Sequence, residues 1–156
     1  MTSIDQRLVA TGVTLPTYMP PAYAYQSVVE HAGVAYVSGH VPKTADGDLH
    51  PGKVGHDVTL EEARTAAELA TLNALASLRH ELGGSLDRVQ RVLKIVVFVA
   101  SAPGFKNQPK VADAVSEMLN NVFGDDRRHA RSAVGVAELP RNSSVEVEMV
   151  VAVNPV

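Results

Sequence analysis

The feature that most constrains this chain is the alternation that closes it, Val145-Glu-Val-Glu-Met-Val-Val-Ala-Val153. Side chains on a strand point to opposite faces in turn. Val145, Val147, Met149, Val151 and Val153 therefore share one face, and Glu146, Glu148, Val150 and Ala152 the other. The first set needs a cover of helices. The second mixes two carboxylates with apolar neighbours, a poor surface for water, and is expected to meet other subunits.

The cover is readable upstream. Thr59 and Glu62 form a T-x-x-E capping box, and Glu61 suits the positive end of the helix dipole. Ala63, Ala66, Ala67, Ala70, Ala74, Leu75, Leu78 and Leu82 follow at helical spacing until Gly83-Gly84. A stripe made mostly of alanine lets a helix lie close on a sheet. A second helix opens near Pro109, a residue favoured in a first turn. It presents Val111, Val115, Met118 and Val122 before Gly124.

Between and before these helices lie β-type runs. Tyr25 to Val29 and Val34 to Val41 flank Glu30-His-Ala-Gly33 and predict a hairpin. Val92 to Ala100 is β-branched and predicts a central strand, and Arg131 to Glu138 predicts another. Lys43 to Asp57, with Asp46-Gly47 and Pro51-Gly52, reads as turns and loop. At the start, Ser3 and Gln6 make a weak capping box ahead of Leu8 and Val9, a short helix ended by Gly12. Leu15-Pro-Thr-Tyr-Met-Pro-Pro21 must be extended. The expected order is ββαβαββ, an α+β fold with one mixed sheet and two helices on one face. At 156 residues this is a single domain, 1–156.

Composition removes several function classes. There is no cysteine, hence no thiolate nucleophile and no Cys-ligated zinc or iron–sulfur cluster. Fourteen basic residues against seventeen acidic give a net charge of -3, and aromatics make up 4%. Neither broad capture of nucleic acid nor a base-stacking platform is expected. No run is long enough to span a bilayer and the first residues lack a secretion signal, so a cytoplasmic protein is expected. The six histidines show no H-x-H or H-E-x-x-H spacing, so no metal site is expected. Asp125 and Asp126 precede Arg127 and Arg128, which suits a solvated loop at a helix end.

The most specific segment is Arg127-Arg-His-Ala-Arg-Ser-Ala-Val-Gly-Val-Ala-Glu-Leu-Pro140. Arg131 is followed on its face by Ala133, Gly135 and Ala137. Small residues there would leave room for a guanidinium to grip a planar carboxylate. The competing reading is a strand-end arginine paired with a surface acid.

With Val145-Glu-Val-Glu-Met149 after it, this segment resembles the carboxy-terminal signature of the Rid (YjgF-like) family of reactive-intermediate deaminases. Ala130-Arg131-Ser132 and Glu146 match in identity and spacing. Tyr25 and Tyr36-Val-Ser-Gly-His-Val-Pro42 resemble the family's first hairpin and its Ser-Gly-x-x-Pro turn, and Lys94 to Val99 its central strand. The resemblance covers roughly residues 22 to 153. It implies a chorismate-mutase-like fold, a homotrimer with clefts between subunits, and hydrolysis of amino-acid-derived enamines and imines to 2-oxo acids and ammonia without a cofactor. By position, Arg131 would bind the substrate carboxylate and Glu146 would orient water. Tyr25 would line the cleft and the Ser38-Gly39 backbone would hold the substrate, with His40 and Ala133 beside it. A non-catalytic metabolite-binding trimer and an endoribonuclease are the alternative readings.

The chain departs from that pattern in four places. Ala133 stands where relatives often have cysteine, and His129 where proline commonly precedes the Ala-Arg pair. Ala100 to Pro109 replaces a shorter loop, and the asparagine that usually follows it near the cleft has no clear equivalent. An extension, Met1 to about Pro21, precedes the matched region.

Overall fold

The computed structural model describes residues 3–156, so Met1 and Thr2 of the extension lie outside the described residues. The expected frame is present, with additions. α1 (Ile4–Ala10) is followed by β1 (Val28–His31), β2 (Val34–His40), β3 (Lys43–Thr44) and β4 (Gly47–Asp48). Then come α2 (Leu60–Glu81), β5 (Val89–Ala100), α3 (Gln108–Phe123), β6 (Ala130–Val136) and β7 (Val145–Val153). Among the described residues the two expected sheet-covering helices and the expected short N-terminal helix accompany a five-stranded sheet of order β1-β2-β7-β5-β6. The β5–β6 pair is parallel and the other pairs are antiparallel, so the sheet is mixed.

The third helix is the short N-terminal one. Ser3 and Gln6 close its capping box, and it buries Ile4 and Leu8 against the layer formed with α3. One correction is the β3–β4 hairpin inside the stretch read as loop. Thr44 Oγ1 donates to the Gly47 carbonyl at 2.7 Å, and Lys43 pairs with Asp48. The first hairpin also turns more tightly than expected. Glu30 and His31 pair with Ala35 and Val34, which leaves only Ala32 and Gly33, both at positive φ, for the turn. Tyr25 consequently lies ahead of β1 rather than in it.

On β7 the alternation holds: the five residues from Val145 to Val153 that share the apolar face are buried under the helices, and those between are half-buried. Ala63, Ala66, Ala67, Ala70 and Ala74 of α2 are wholly inaccessible, as a close helix-on-sheet contact requires. The opposite sheet face has no cover among the described residues. Val29, Tyr36 and Val134 are exposed there, and Val29 and Tyr36 line a hollow of about 350 Å³ with Lys94 and Glu148. Among the described residues no helix is long and apolar enough to cross a membrane.

Candidate active site

The site is built where β2 parts from β7. Val37 pairs with Met149 and His40 with Val147, so β2 carries one residue more than its partner at Ser38-Gly39. Such a bulge bends a strand and re-aims its side chains. Glu146, one residue into β7, lies directly over Gly39. A Cβ added to Gly39 would come within 1.8 Å of Glu146 Oε1. Only glycine leaves this carboxylate its place.

Around them opens a cleft of about 410 Å³, lined by Tyr25, Ser38, Gly39, His40 and Glu146 among others. The amino-terminal extension supplies one wall. Val13 and Leu15 pack on the core, and Tyr18 stacks on His80 of α2 with ring centroids 4.0 Å apart. That anchoring brings Thr17, Met19, Pro20 and Pro21 to the cleft. Ser38 is tied to the chain before β1: its hydroxyl donates to the Gln26 carbonyl at 2.6 Å and its N–H to the Ser27 carbonyl at 2.9 Å.

His40 turns inward from the cleft wall. Its Nδ1 contacts the Ser38 carbonyl at 2.7 Å and its Nε2 contacts Ser77 Oγ of α2 at 2.8 Å. A carbonyl can only accept, so Nδ1 carries the proton and Nε2 accepts from the serine. Burial lowers the pKa of His40 against the opposing pull of the Ser38 carbonyl, so the ring is held neutral.

Glu146 is shifted the other way. Burial raises its carboxyl pKa above the ordinary glutamate value, and the charge of Glu148 adds to the rise. The consequence for stability follows from linkage. Below the ordinary value both folded and unfolded chains are protonated here, and the group's contribution is fully present. It is lost as pH rises through the raised folded value. Glu146→Gln, which cannot ionise, therefore melts above wild type at neutral pH. The gap closes as the pH falls below the ordinary glutamate value. Melting curves recorded at a series of pH values read this directly, and an offset that stays constant with pH would contradict it.

Arg131 and Ala133 are not in this cleft. Arg131 pairs with Ile95, which pairs with Met149, so it stands on the helix side of the edge strand β6. Glu146 pairs with Phe98 on the opposite face. Strand spacing and rise place the two about 10 Å apart across the sheet and about 10 Å along it. Arg131 Nη1 donates to Asp113 Oδ1 at 2.8 Å and to Ser116 Oγ at 3.2 Å, and Ser116 Oγ contacts His129 Nε2 at 3.0 Å. Burial, then the Arg131 charge, lowers the pKa of His129, which keeps that ring an acceptor. At Gly135, four residues beyond Arg131 on the same face, the space is taken. An added Cβ there would meet Gln108 Nε2 at 2.8 Å and Ser101 Oγ at 3.0 Å, so α3 fills the gap.

Sequence reasoning missed several lining residues: Lys43, Asn73, Ser77 and Arg141. Asn73 and Ser77 carried a signal, being polar residues one turn apart in an alanine-rich helix. Arg141 sits in the turn Pro140–Asn142 at φ +61°, a left-handed conformation that nothing in its residue type announces. Among the described residues no three His, Cys, Asp or Glu side chains cluster in a way that would hold a metal ion.

The chain has relatives of known sequence and structure. A 41% identical relative, Protein TCP17 of Trypanosoma cruzi, aligns over 92% of this chain and 89% of its own length. A 2-iminobutanoate/2-iminopropanoate deaminase of Dermatophagoides farinae is 26% identical over 90% of this chain and 94% of its own. The crystal structure of Atu1372 from Agrobacterium tumefaciens, a protein of unknown function, superposes with a TM-score of 0.88 at 38% identity, covering 97% of this chain and 92% of that one. The family model described as "YjgF/chorismate mutase-like, putative endoribonuclease" matches residues 5–153. With that match spanning nearly its whole length and the α+β chorismate-mutase-like fold in place, the chain belongs to the YjgF family.

Proposed function

We propose that this protein hydrolyses small amino-acid-derived imines to 2-oxo acids and ammonia, in clefts completed between the subunits of a homotrimer. The observation that carries the reading is Glu146, a half-buried carboxyl of raised pKa seated on Gly39 inside the cleft. The deaminase named among its relatives supports the reaction class. The apolar, uncovered sheet face supports the assembly. In the trimer, Arg131 of one copy reaches the cleft of the next. Asp113 and Ser116 engage Nη1 alone, which leaves the other nitrogens of the guanidinium for a substrate carboxylate.

The chemistry asks little of the protein. The carbon of a protonated imine is already electrophilic. Water forms the new C–O bond while Glu146, as carboxylate, accepts its proton. The proton passes to nitrogen, the C–N bond breaks while Glu146 takes the hydroxyl proton, and ammonia leaves behind the 2-oxo acid. For an enamine, Glu146 in its acid form first protonates carbon. A pKa raised toward the working pH serves both directions.

The test generates 2-iminopropanoate or 2-iminobutanoate in situ and follows its loss. Wild type accelerates hydrolysis, and Arg131→Ala lowers kcat/KM by about a hundredfold, the scale of losing a charged clamp. Equal rates with the two proteins would overturn the proposal. Saturable binding of 2-oxo acids without turnover would replace it with a metabolite-binding role.

A further inference from the structure

The cleft is larger than a small imino acid needs, and it holds cations that the proposed reaction does not use. A six-heavy-atom imino acid fills at most roughly 180 Å³, even allowing each heavy atom the ~30 Å³ that a whole water takes in the liquid. The cleft measures about 410 Å³. Lys43 and Arg141 both line it, on elements other than the strands that carry Glu146 and Gly39.

Arg141 is held by a built arrangement, and the backbone that carries Lys43 is pinned beside it. Arg141 Nη2 donates to Asp48 Oδ1 at 2.6 Å, and Ser143 Oγ donates to the other oxygen of the same carboxylate. The Asp48 side chain is 3% exposed, so a buried acid fixes the guanidinium by one nitrogen. Arg141 and Asn142 both stand at φ +61°, a strained pair of left-handed residues of the kind that surroundings must enforce. Lys43 faces Asp48 across the β3–β4 hairpin. The buried amide of Asn73 donates to the carbonyls of Val41 and Lys43 at 3.0 and 3.1 Å, which pins the backbone there. Asp48 is committed to Arg141, and among the described residues the Lys43 ammonium forms no ion pair. The corner of the cleft formed by the hairpin and the turn before β7 therefore carries an excess positive charge.

We infer that the cleft takes substrates with a second anionic group, namely 2-imino acids bearing a side-chain carboxylate, and that Lys43 and Arg141 receive that carboxylate. The chemistry at the reacting end rests on the deaminase reading; the second anion site rests on the hairpin and turn alone. Arg141 offers the geometry for a carboxylate, and Lys43 adds a point charge.

The experiment compares kcat/KM for the in-situ imines of glutamate and of alanine, with wild type and Lys43→Gln. Lys43 lies on a two-residue strand at the cleft rim, so its replacement leaves no buried charge unpaired, whereas Arg141→Gln would strand Asp48. Wild type favours the dicarboxylate at least tenfold, and Lys43→Gln lowers that ratio about tenfold, the scale of one charge-assisted hydrogen bond. A wild-type ratio at or below one, or equal losses on both imines, would overturn the inference. Where neither imine is turned over, the deaminase reading fails and titration decides the second site separately. Tighter binding of 2-oxoglutarate than of 2-oxobutanoate, lost in Lys43→Gln, supports it; equal binding of the two sinks it.

Discussion

An equimolar mixture of Arg131→Ala and Glu146→Gln chains, unfolded and refolded together, is expected to regain imine hydrolysis well above the residual level of either variant alone. The expectation comes from the register of the sheet. Arg131 stands on the helix face of edge strand β6, and Glu146 on the other face of β7, with β5 between them. One chain cannot bring them to one substrate, but neighbouring copies in the proposed trimer would. Glu146→Gln removes the proposed proton acceptor and is expected to lower activity by about 10²–10⁴-fold. Arg131→Ala removes the carboxylate clamp. In mixed trimers a cleft is intact when its Glu146 comes from one variant and its Arg131 from the other. Random assembly makes about a quarter of the clefts so, and recovered activity should approach that fraction of wild type. Separately refolded and then mixed samples serve as the control and stay inactive while subunits do not exchange. No recovery after joint refolding, with trimers present, would show that the two residues do not share a cleft.

How much of this could be read in the sequence depends on the periodicity behind each element. The β7 alternation picked out the helix-covered face correctly because nine residues give period two a clear signal. The alanine stripe and capping box of α2 were equally plain, and Thr59 and Glu62 exchange the expected hydrogen bonds. The β3–β4 hairpin was not legible. Two-residue strands have no period, and their ladder is held by Thr44 and the turn rather than by a hydrophobic face. Glu30 and His31 looked like turn residues but pair in the strand, helped by the Glu30–Arg88 ion pair at 2.7 Å. For the site, Tyr25, Ser38, Gly39, His40 and Glu146 were all named and all line one cleft. The separation of Arg131 from them needed the strand order β7-β5-β6, which no local pattern encodes. Arg141 and Lys43 come to the cleft through a left-handed turn and an irregular hairpin, both of them tertiary features.

Gly39→Ala should abolish most activity while leaving the fold nearly as stable as before. The two outcomes separate because the backbone and the side-chain environment make different demands. Gly39 does not occupy the left-handed region, so alanine can adopt its conformation without strain. What alanine cannot do is share space with Glu146, whose Oε1 would lie 1.8 Å and Cδ 2.8 Å from the new methyl group. Those atoms belong to the far end of a flexible side chain. The glutamate rotates away rather than forcing the sheet apart, and the melting temperature moves by only a few degrees. The carboxylate is then displaced by more than an ångström from the water it must activate. Misplacement on that scale costs about a hundredfold in rate. A kcat loss of that size with an almost unchanged melt fits a glycine kept for the carboxylate. Full activity in Gly39→Ala would mean that Glu146 works from another position, and a large fall in melting temperature would mean that Gly39 is required by the fold itself.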